Sequence, residues 1–320
     1  ALCPGIRDEE ILPASLSREL LGGLLREKLG FNGLIITDAT TMTGMTAAMP
    51  RDRAVPYAIA AGCDMFLFTK NLEEDVRFMF EGLENGILSR ERLDEAVTRI
   101  LALKASLGLH RRSNIPSLEA AMPVLSSQHA QQIAREVADR SITLVKRQEG
   151  VLPLDTSRIK RVLLYDIESG ENALGYGREI GLAQQFGALL EQEGLEVTHF
   201  TAGERFEGRQ VSFREITSEF DLMIYLANLA TKSNQTTVRI EWMNPMGINC
   251  PIYTHTVPTI FISVENPYHL LDVPHIKTFI NCYSCNAYTL PLLADKLFGR
   301  SEFTGKSPVD PFCGKWDTRL

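Results

Sequence analysis

Residues 16–42, LSRELLGGLLREKLGFNGLIITDATTM, decide the fold of the first part of the chain. Leucines recur at helical spacing from Leu16 to Leu29, and Ser17 stands where a helix cap is needed, which predicts an amphipathic helix ended by Gly30. The next run, Gly33 to Thr37, is short, apolar and bounded by turn residues. It predicts a strand that is covered on both faces, as strands of parallel sheets are.

The residues that follow repeat this alternation of strand and helix. Met65 to Phe68 predicts a second short strand, and helical spacing follows Asn71 and then Ser89, each in a capping position. The second helix is closed by Gly108. Alternating strands and helices indicate α/β architecture for residues 1–108.

A second α/β region follows a polar connection. Residues 109–127 contain Pro116 and Pro123 and are predicted to link two domains. Residues 128–320 predict a mostly parallel sheet with intervening helices. Its expected strands are Ile142–Val145, Val162–Tyr165, Val197–Phe200, Leu222–Leu226, Thr259–Val264 and Thr278–Cys282.

Composition excludes several functional classes. The chain has 320 residues, a formal net charge of -7 and 44% hydrophobic residues, which is typical of an acidic globular protein. An acidic balance disfavours nucleic acid and anionic membrane partners, and no apolar run reaches the roughly 18 residues that would cross a bilayer. The six cysteines are sparse, which favours reduced thiols in the cytoplasm. Cys282-Tyr-Ser-Cys285 lacks further metal ligands, so no metal site is expected.

Asp38 is the main candidate for chemistry because it directly follows the first predicted strand. Carboxyl ends of parallel strands are where barrel enzymes place their active sites. By itself, an aspartate in this position is more often a turn former or a helix cap. The motifs around Asp38 decide whether it is a catalytic residue or a turn former.

That context consists of several motifs on both sides of Asp38. They are Pro13-Ala-Ser-Leu-Ser17, Leu25-Arg-Glu-Lys-Leu-Gly-Phe31 with Gly33, Thr37-Asp38 with Met42 four residues on, Ala61-Gly-Cys-Asp64, Glu149-Gly-Val-Leu-Pro-Leu154 and Ser263-Val-Glu-Asn-Pro-Tyr268. Together they resemble the glycoside hydrolases of family 3, over nearly the whole chain. The resemblance implies that residues 1–108 are the C-terminal portion of a catalytic (β/α)8-type barrel and that residues 128–320 are an α/β sandwich domain.

The resemblance also implies a reaction and two site residues. Asp38 would be the catalytic nucleophile of a retaining exo-glycosidase, and Met42 would contact the substrate. The substrate would carry terminal β-linked N-acetylglucosamine-type sugars, so the expected partner is an amino-sugar glycoside. No metal or organic cofactor is implied. A β-glucosidase or β-xylosidase of the same family and a non-catalytic carbohydrate-binding or scaffold protein remain alternatives.

The general acid of the family is expected to lie outside this chain. The K-H-F-type segment that precedes a His-Asp dyad in the N-acetylglucosaminidase branch is missing, and neither Glu241 nor Glu265 lies in a segment that matches the acid of the β-glucosidase branch. A complete (β/α)8 barrel takes about 250 residues. We therefore expect the front of the barrel to be missing, the chain to be inactive alone, and self-association through the incomplete barrel to remain open.

Overall fold

The computed structural model describes residues 12–111, 115–168, 181–201, 218–230, 239–243 and 247–319. The chain divides into two compact units, Ala1–Ser117 and Leu118–Leu320. This boundary falls within the predicted linker at 109–127. The catalytic and sandwich roles assigned to the flanking domains stay predictions.

Helices dominate the described part of the first unit. After a 3-10 turn at Ala14–Leu16 come a π-helix at Glu19–Lys28 and the α-helices α1 (Thr43–Ala48), α2 (Arg51–Ala61), α3 (Leu72–Glu84) and α4 (Arg90–Ser106). The predicted caps of α3 and α4 form, because Asn71 accepts a hydrogen bond from the Glu74 N–H and Ser89 accepts one from the Arg92 N–H.

In the described part of the first unit, the two predicted strands pair through a single β-bridge. Ile36 and Met65 form an isolated parallel bridge. Ile35 and Thr37 are buried, but Ile36 is 48% exposed and Phe68 is 67% exposed. The expectation that these strands are covered on both faces is therefore wrong for the described residues, where no third strand extends the pair. Apolar runs alone cannot distinguish a covered strand from one whose second face is bare.

The predicted linker is more ordered than its composition suggests. Leu118–Leu125 forms a short helix, α5, that contains Pro123 and buries none of its residues. Four of its large apolar side chains are exposed: Leu118, Met122, Val124 and Leu125.

A six-stranded sheet is the centre of the second unit. Its strands are β1 (Thr143–Lys146), β2 (Arg161–Glu168), β3 (Glu196–His199), β4 (Leu222–Asn228), β5 (Thr259–Ser263) and β6 (Thr278–Asn281), and its helices are α6 (Gln128–Ser141), α7 (Leu182–Gln192) and α8 (Thr289–Leu297). The strand order is β1-β6-β5-β4-β2-β3. Among these described strands, the edge pair β1 and β6 is antiparallel and the other neighbouring pairs are parallel. The predicted α/β class with a mostly parallel sheet is confirmed.

Both faces of this sheet are buried by separate clusters of side chains. One face, which includes Leu164 and Ile224, packs against α7 and α8. On the other face the register aligns Tyr165, Tyr225, Phe261 and Phe279 in a row across four neighbouring strands, with stacked rings. Burial on both faces explains why these strands were recognisable as continuous apolar runs. No helix in the described ranges combines the length and apolarity needed to span a bilayer.

Candidate active site

Asp38 lies at the carboxyl end of the parallel pair in the first unit. The pair is held by backbone hydrogen bonds from the Asp64 N–H to Ile35 O (2.7 Å) and from the Thr37 N–H to Met65 O (2.9 Å). The Thr37 hydroxyl oxygen accepts a further bond from the Leu67 N–H at 3.2 Å. These contacts fix the direction in which the chain leaves the strand, immediately before Asp38.

The Asp38 side chain is exposed and only partly engaged. Its Oδ1 accepts a hydrogen bond from the Ala39 N–H at 2.6 Å. Within the part of the chain that the structure describes, no hydrogen bond or ion pair engages Oδ2. One carboxylate oxygen is thus oriented by the backbone, while the other is open to a ligand, the arrangement that a nucleophile needs.

Met42 closes the same loop at the amino end of α1. Its N–H donates to Ala39 O at 3.0 Å, and its carbonyl accepts the N–H groups of Met45 and Thr46. Its side chain is 41% exposed rather than packed into the core of the unit. The structure therefore brings the two predicted site residues into one loop, on an accessible surface.

Thr40 anchors this loop from the inside, and sequence reasoning did not single it out. It is fully buried. Its N–H donates to Phe68 O (2.9 Å), and its hydroxyl donates to Asp75 Oδ2 (3.2 Å) while accepting the Lys70 N–H (3.1 Å). Asp75 is itself buried and paired with Arg51. Thr40 thus ties the loop of Asp38 to the segment after the second strand.

A second missed network lies at the opposite end of the strand pair. The side chain of Asp64 is completely buried between the guanidinium groups of Arg26 and Arg92. It also accepts the Ile35 N–H at 3.0 Å, and Arg92 donates to the carbonyl of Cys63. Because a buried carboxylate is costly unless it is paired and hydrogen-bonded, this double pairing indicates a structural role.

Cysteine chemistry and metal binding find no support among the described residues. Burial raises the pKa of the Cys63 thiol to about 11 and that of Cys282 to about 12, which makes both poor nucleophiles. No disulfide joins the described cysteines, and no group of His, Cys, Asp and Glu in the described ranges is arranged to hold a metal ion. Cys3 lies outside the described residues.

The region around Asp38 matches a family model. Residues 2–103 correspond to the glycosyl hydrolase family 3 N-terminal domain. The whole chain is 53% identical to a β-N-acetylglucosaminidase/β-glucosidase of Cellulomonas fimi, over 320 residues. The chain belongs to glycoside hydrolase family 3.

Solved structures share this fold over nearly the whole chain. A β-glucoside phosphorylase, BglX, is 47% identical and superposes with a TM-score of 0.87 over 99% of the chain. A family 3 β-N-acetylglucosaminidase from Paenibacillus is 21% identical with a TM-score of 0.68 over 93% of the chain, which indicates a shared fold alone. The family 3 chain spans 57% of the length of the Cellulomonas fimi relative and 56% of that of BglX.

Proposed function

We propose that this chain carries the nucleophile, Asp38, of a retaining glycosidase that removes terminal β-linked N-acetylglucosamine-type sugars. The observation that carries the proposal is the exposed Asp38 carboxylate, with one oxygen open, at the carboxyl end of a parallel strand pair. Its position inside the segment that matches the family model supports the same assignment. Met42, exposed in the same loop, is proposed to contact the sugar.

The proposed reaction has two displacements. Asp38 Oδ2 attacks the anomeric carbon while the bond from that carbon to the leaving oxygen breaks, and a general acid protonates the leaving oxygen. Water then attacks the anomeric carbon, passes its proton to the same residue, and frees the Asp38 carboxylate with the sugar configuration retained. We propose that the general acid and most of the sugar pocket come from residues outside this sequence. Without them the 320-residue chain should not turn over substrate.

A specific observation favours a second candidate, phosphorolysis. The likeness to a solved β-glucoside phosphorylase extends over 99% of the chain at 47% identity. A phosphorylase would share the first displacement at Asp38 but accept the glycosyl group on a phosphate oxygen, which gives a sugar 1-phosphate. The two functions therefore differ in the acceptor of the second step, whereas the nucleophile is the same.

The sugar preference is the finer part of the proposal. The Cellulomonas fimi relative is named for both N-acetylglucosaminide and glucoside cleavage, so a β-glucosidase with the same nucleophile is the alternative. Comparing the nitrophenyl β-glycosides of N-acetylglucosamine and glucose separates these two. A non-catalytic carbohydrate-binding protein would cleave neither.

The test uses a chimera in which this chain is joined to the part of the Cellulomonas fimi relative that it does not match. We expect turnover of nitrophenyl glycosides, and we expect Asp38→Asn to reduce kcat by three or more orders of magnitude. Asp52→Asn, a change of an exposed aspartate in the first turn of α2, is the matched control and should leave kcat unchanged.

Trapping with a 2-deoxy-2-fluoro glycoside should leave the sugar on the peptide that contains Asp38, as read by mass spectrometry. Adding phosphate distinguishes the acceptors, because only phosphorolysis yields a sugar 1-phosphate. An Asp38→Asn chimera with normal turnover, or a label on another peptide, would overturn the nucleophile assignment.

We also propose that the protein works in a reducing compartment such as the cytoplasm, because no described cysteine forms a disulfide. Self-association through the bare strand pair stays a prediction, which the mass of the purified chain in solution would test.

A further inference from the structure

A cleft of about 440 Å³ in the second unit is lined by an unusual set of charges. Lys146, Arg147, Lys277 and Arg319 line it together with Val145, Gln148 and Phe312, and no acidic side chain does. The chain as a whole carries a formal net charge of -7. Four cations around one cleft therefore depart from the general charge of the protein.

The fold brings these cations together from three separate segments. Lys146 ends edge strand β1, and Lys277 immediately precedes its antiparallel partner β6, so the two lysines meet at one end of the pair. The register shifts between Leu144 and Lys146, which leaves Val145 as an extra residue in the strand. Such bulges turn the side chains next to them and are frequent beside functional sites. Arg319 comes from the C-terminal segment, where its guanidinium lies over the Phe312 ring at 4.2 Å.

Among the residues that the structure describes, the cations of the cleft have little compensation. The ammonium of Lys146 donates to one backbone carbonyl, that of Pro274, at 3.0 Å. Burial and the charge of Lys277 lower the pKa of Lys146. Arg147 donates to the carbonyl of Leu152, and the one ion pair that Arg319 forms among the described residues is a long, exposed contact of 3.6 Å with Asp310. Neighbouring like charges in a cleft raise the free energy of the empty state and favour an anion there.

A simpler explanation is that β1 carries lysines to prevent pairing with strands of other molecules, as edge strands often do. Protection of this kind concerns charges on the edge strand itself. Lys146 is part-buried and directed toward Pro274, and the cleft continues to Arg319 on a different segment. Edge protection does not account for that convergence.

We propose that this cleft binds a phosphate group, either as free inorganic phosphate or as the phosphate monoester of a sugar. A dianion matches the number of cations better than a single carboxylate does. Arginine guanidinium groups fit phosphate oxygens with paired hydrogen bonds, and lysines add point charges. The aromatic ring of Phe312 and the volume of the cleft leave room for an attached group.

The experiment titrates the 320-residue chain with inorganic phosphate and, separately, with glucose 6-phosphate, by calorimetry at low chloride concentration. We expect saturable binding with one site per chain. Lys146→Met and Arg319→Gln should each weaken it at least tenfold, and added chloride should weaken it further. Tighter binding of glucose 6-phosphate than of phosphate would identify the ester as the ligand, and equal affinity would identify free phosphate.

Lys160→Gln is the matched control, because Lys160 is an exposed lysine of the same unit outside the cleft. It should change the affinity less than twofold. Arg319→Gln keeps the test valid if Lys146→Met does not fold, since the Arg319 side chain is largely exposed. The proposal fails if neither anion binds saturably, or if Lys160→Gln weakens binding as much as the cleft variants do.

Discussion

The loop of Asp38 is positioned by a neighbour rather than by contacts of the carboxylate itself. Among the described residues, the Asp38 carboxylate accepts one hydrogen bond, from the backbone, whereas Thr40, two residues later, makes three hydrogen bonds and is fully buried. The Thr40 hydroxyl both donates and accepts a hydrogen bond, so its loss leaves the Lys70 N–H and a buried carboxylate oxygen of Asp75 with one partner fewer. The position of the proposed nucleophile, Asp38, thus depends on Thr40, which takes no part in the proposed reaction.

Thr40→Val should destabilise the first unit by about 1–3 kcal/mol, because it keeps the shape of the side chain but removes both hydrogen bonds. Hydrogen–deuterium exchange of peptides from residues 36–75 would measure the loss. Thr40→Ser restores the hydroxyl and should recover most of the protection. Equal protection of the valine variant and the wild type would contradict the anchoring role.

His269 is a second buried residue whose protonation state the structure defines. The Ser263 hydroxyl donates to Asn266 O, so its oxygen accepts from Nδ1–H of His269 at 2.8 Å. Nε2 then accepts from the Asn266 amide at 3.3 Å. Burial, and secondarily the charge of Arg239, lower the pKa of His269 to about 4. A proton on Nε2 would face the amide donor of Asn266 and would be disfavoured, in agreement with the lowered pKa.

This depressed pKa predicts a pH-dependent stability. His269 binds its proton near pH 6.5 in the unfolded chain and near pH 4 in the folded chain. The free energy of unfolding therefore decreases as the pH falls through that window, by up to about 3 kcal/mol. Urea unfolding followed by tryptophan fluorescence reports the second unit, because Trp242 and Trp316 both lie there. The His269→Gln variant should have a lower free energy of unfolding than the wild type at pH 7. It should lose less of that free energy between pH 6.5 and 4. His129→Gln, at an exposed helix position, should follow the wild type.

At the scale of elements, close packing between α2 and α3 depends on a glycine. A Cβ added at Gly82 of α3 would lie 2.3 Å from Cβ and 2.8 Å from Cγ of Pro56 in α2. The proline ring is rigid and cannot rotate away. The two helices therefore approach at a distance that no larger residue at position 82 permits.

Gly82→Ala should destabilise the first unit by about 1–3 kcal/mol through overpacking. The control is Gly44→Ala in α1, where an added Cβ meets nothing within 4 Å and should stabilise the helix by roughly 0.5–1 kcal/mol. Hydrogen–deuterium exchange rates of peptides from α2 and α3 would compare the two variants with the wild type. If both alanines had the same effect, the packing argument would be wrong.

The same scale shows what sequence patterns can and cannot predict. The strands β2, β4, β5 and β6 were recognisable because each is buried on both faces, and Asn71 and Ser89 marked helix starts because capping is local. The strand order was not accessible, since it depends on pairing between distant segments. The exposure of Ile36 and Phe68 was not predicted either, because it also depends on which distant segments pack against them. Thr40 was missed because its partner, Asp75, is 35 residues away.

At the scale of the whole molecule, the chain consists of two units joined through a segment with little burial. Helix α5 buries none of its residues, although it is strongly apolar. Segments whose backbone is not protected by packing are the first to be cut by proteases. The two-unit division thus has a direct experimental signature.

Brief digestion with a low amount of chymotrypsin should cut first between residues 107 and 127, where exposed Leu107, Leu109 and Leu118 offer sites. Mass spectrometry should then find two fragments, and the C-terminal one, which begins after one of these leucines, should retain the tryptophan fluorescence of the folded chain. First cuts inside β2 to β6 would contradict this division.

The contact between Thr40 and Asp75 also constrains how relatives can be recombined. In a library of shuffled family 3 genes, a crossover between codons 40 and 75 would take the nucleophile loop from one parent and its anchor from another. Functional clones should therefore be depleted of such crossovers unless both parents encode the same pair. A joint between codons 107 and 127 separates no described hydrogen-bonded partners of this loop, and makes a better exchange point for building hybrid enzymes.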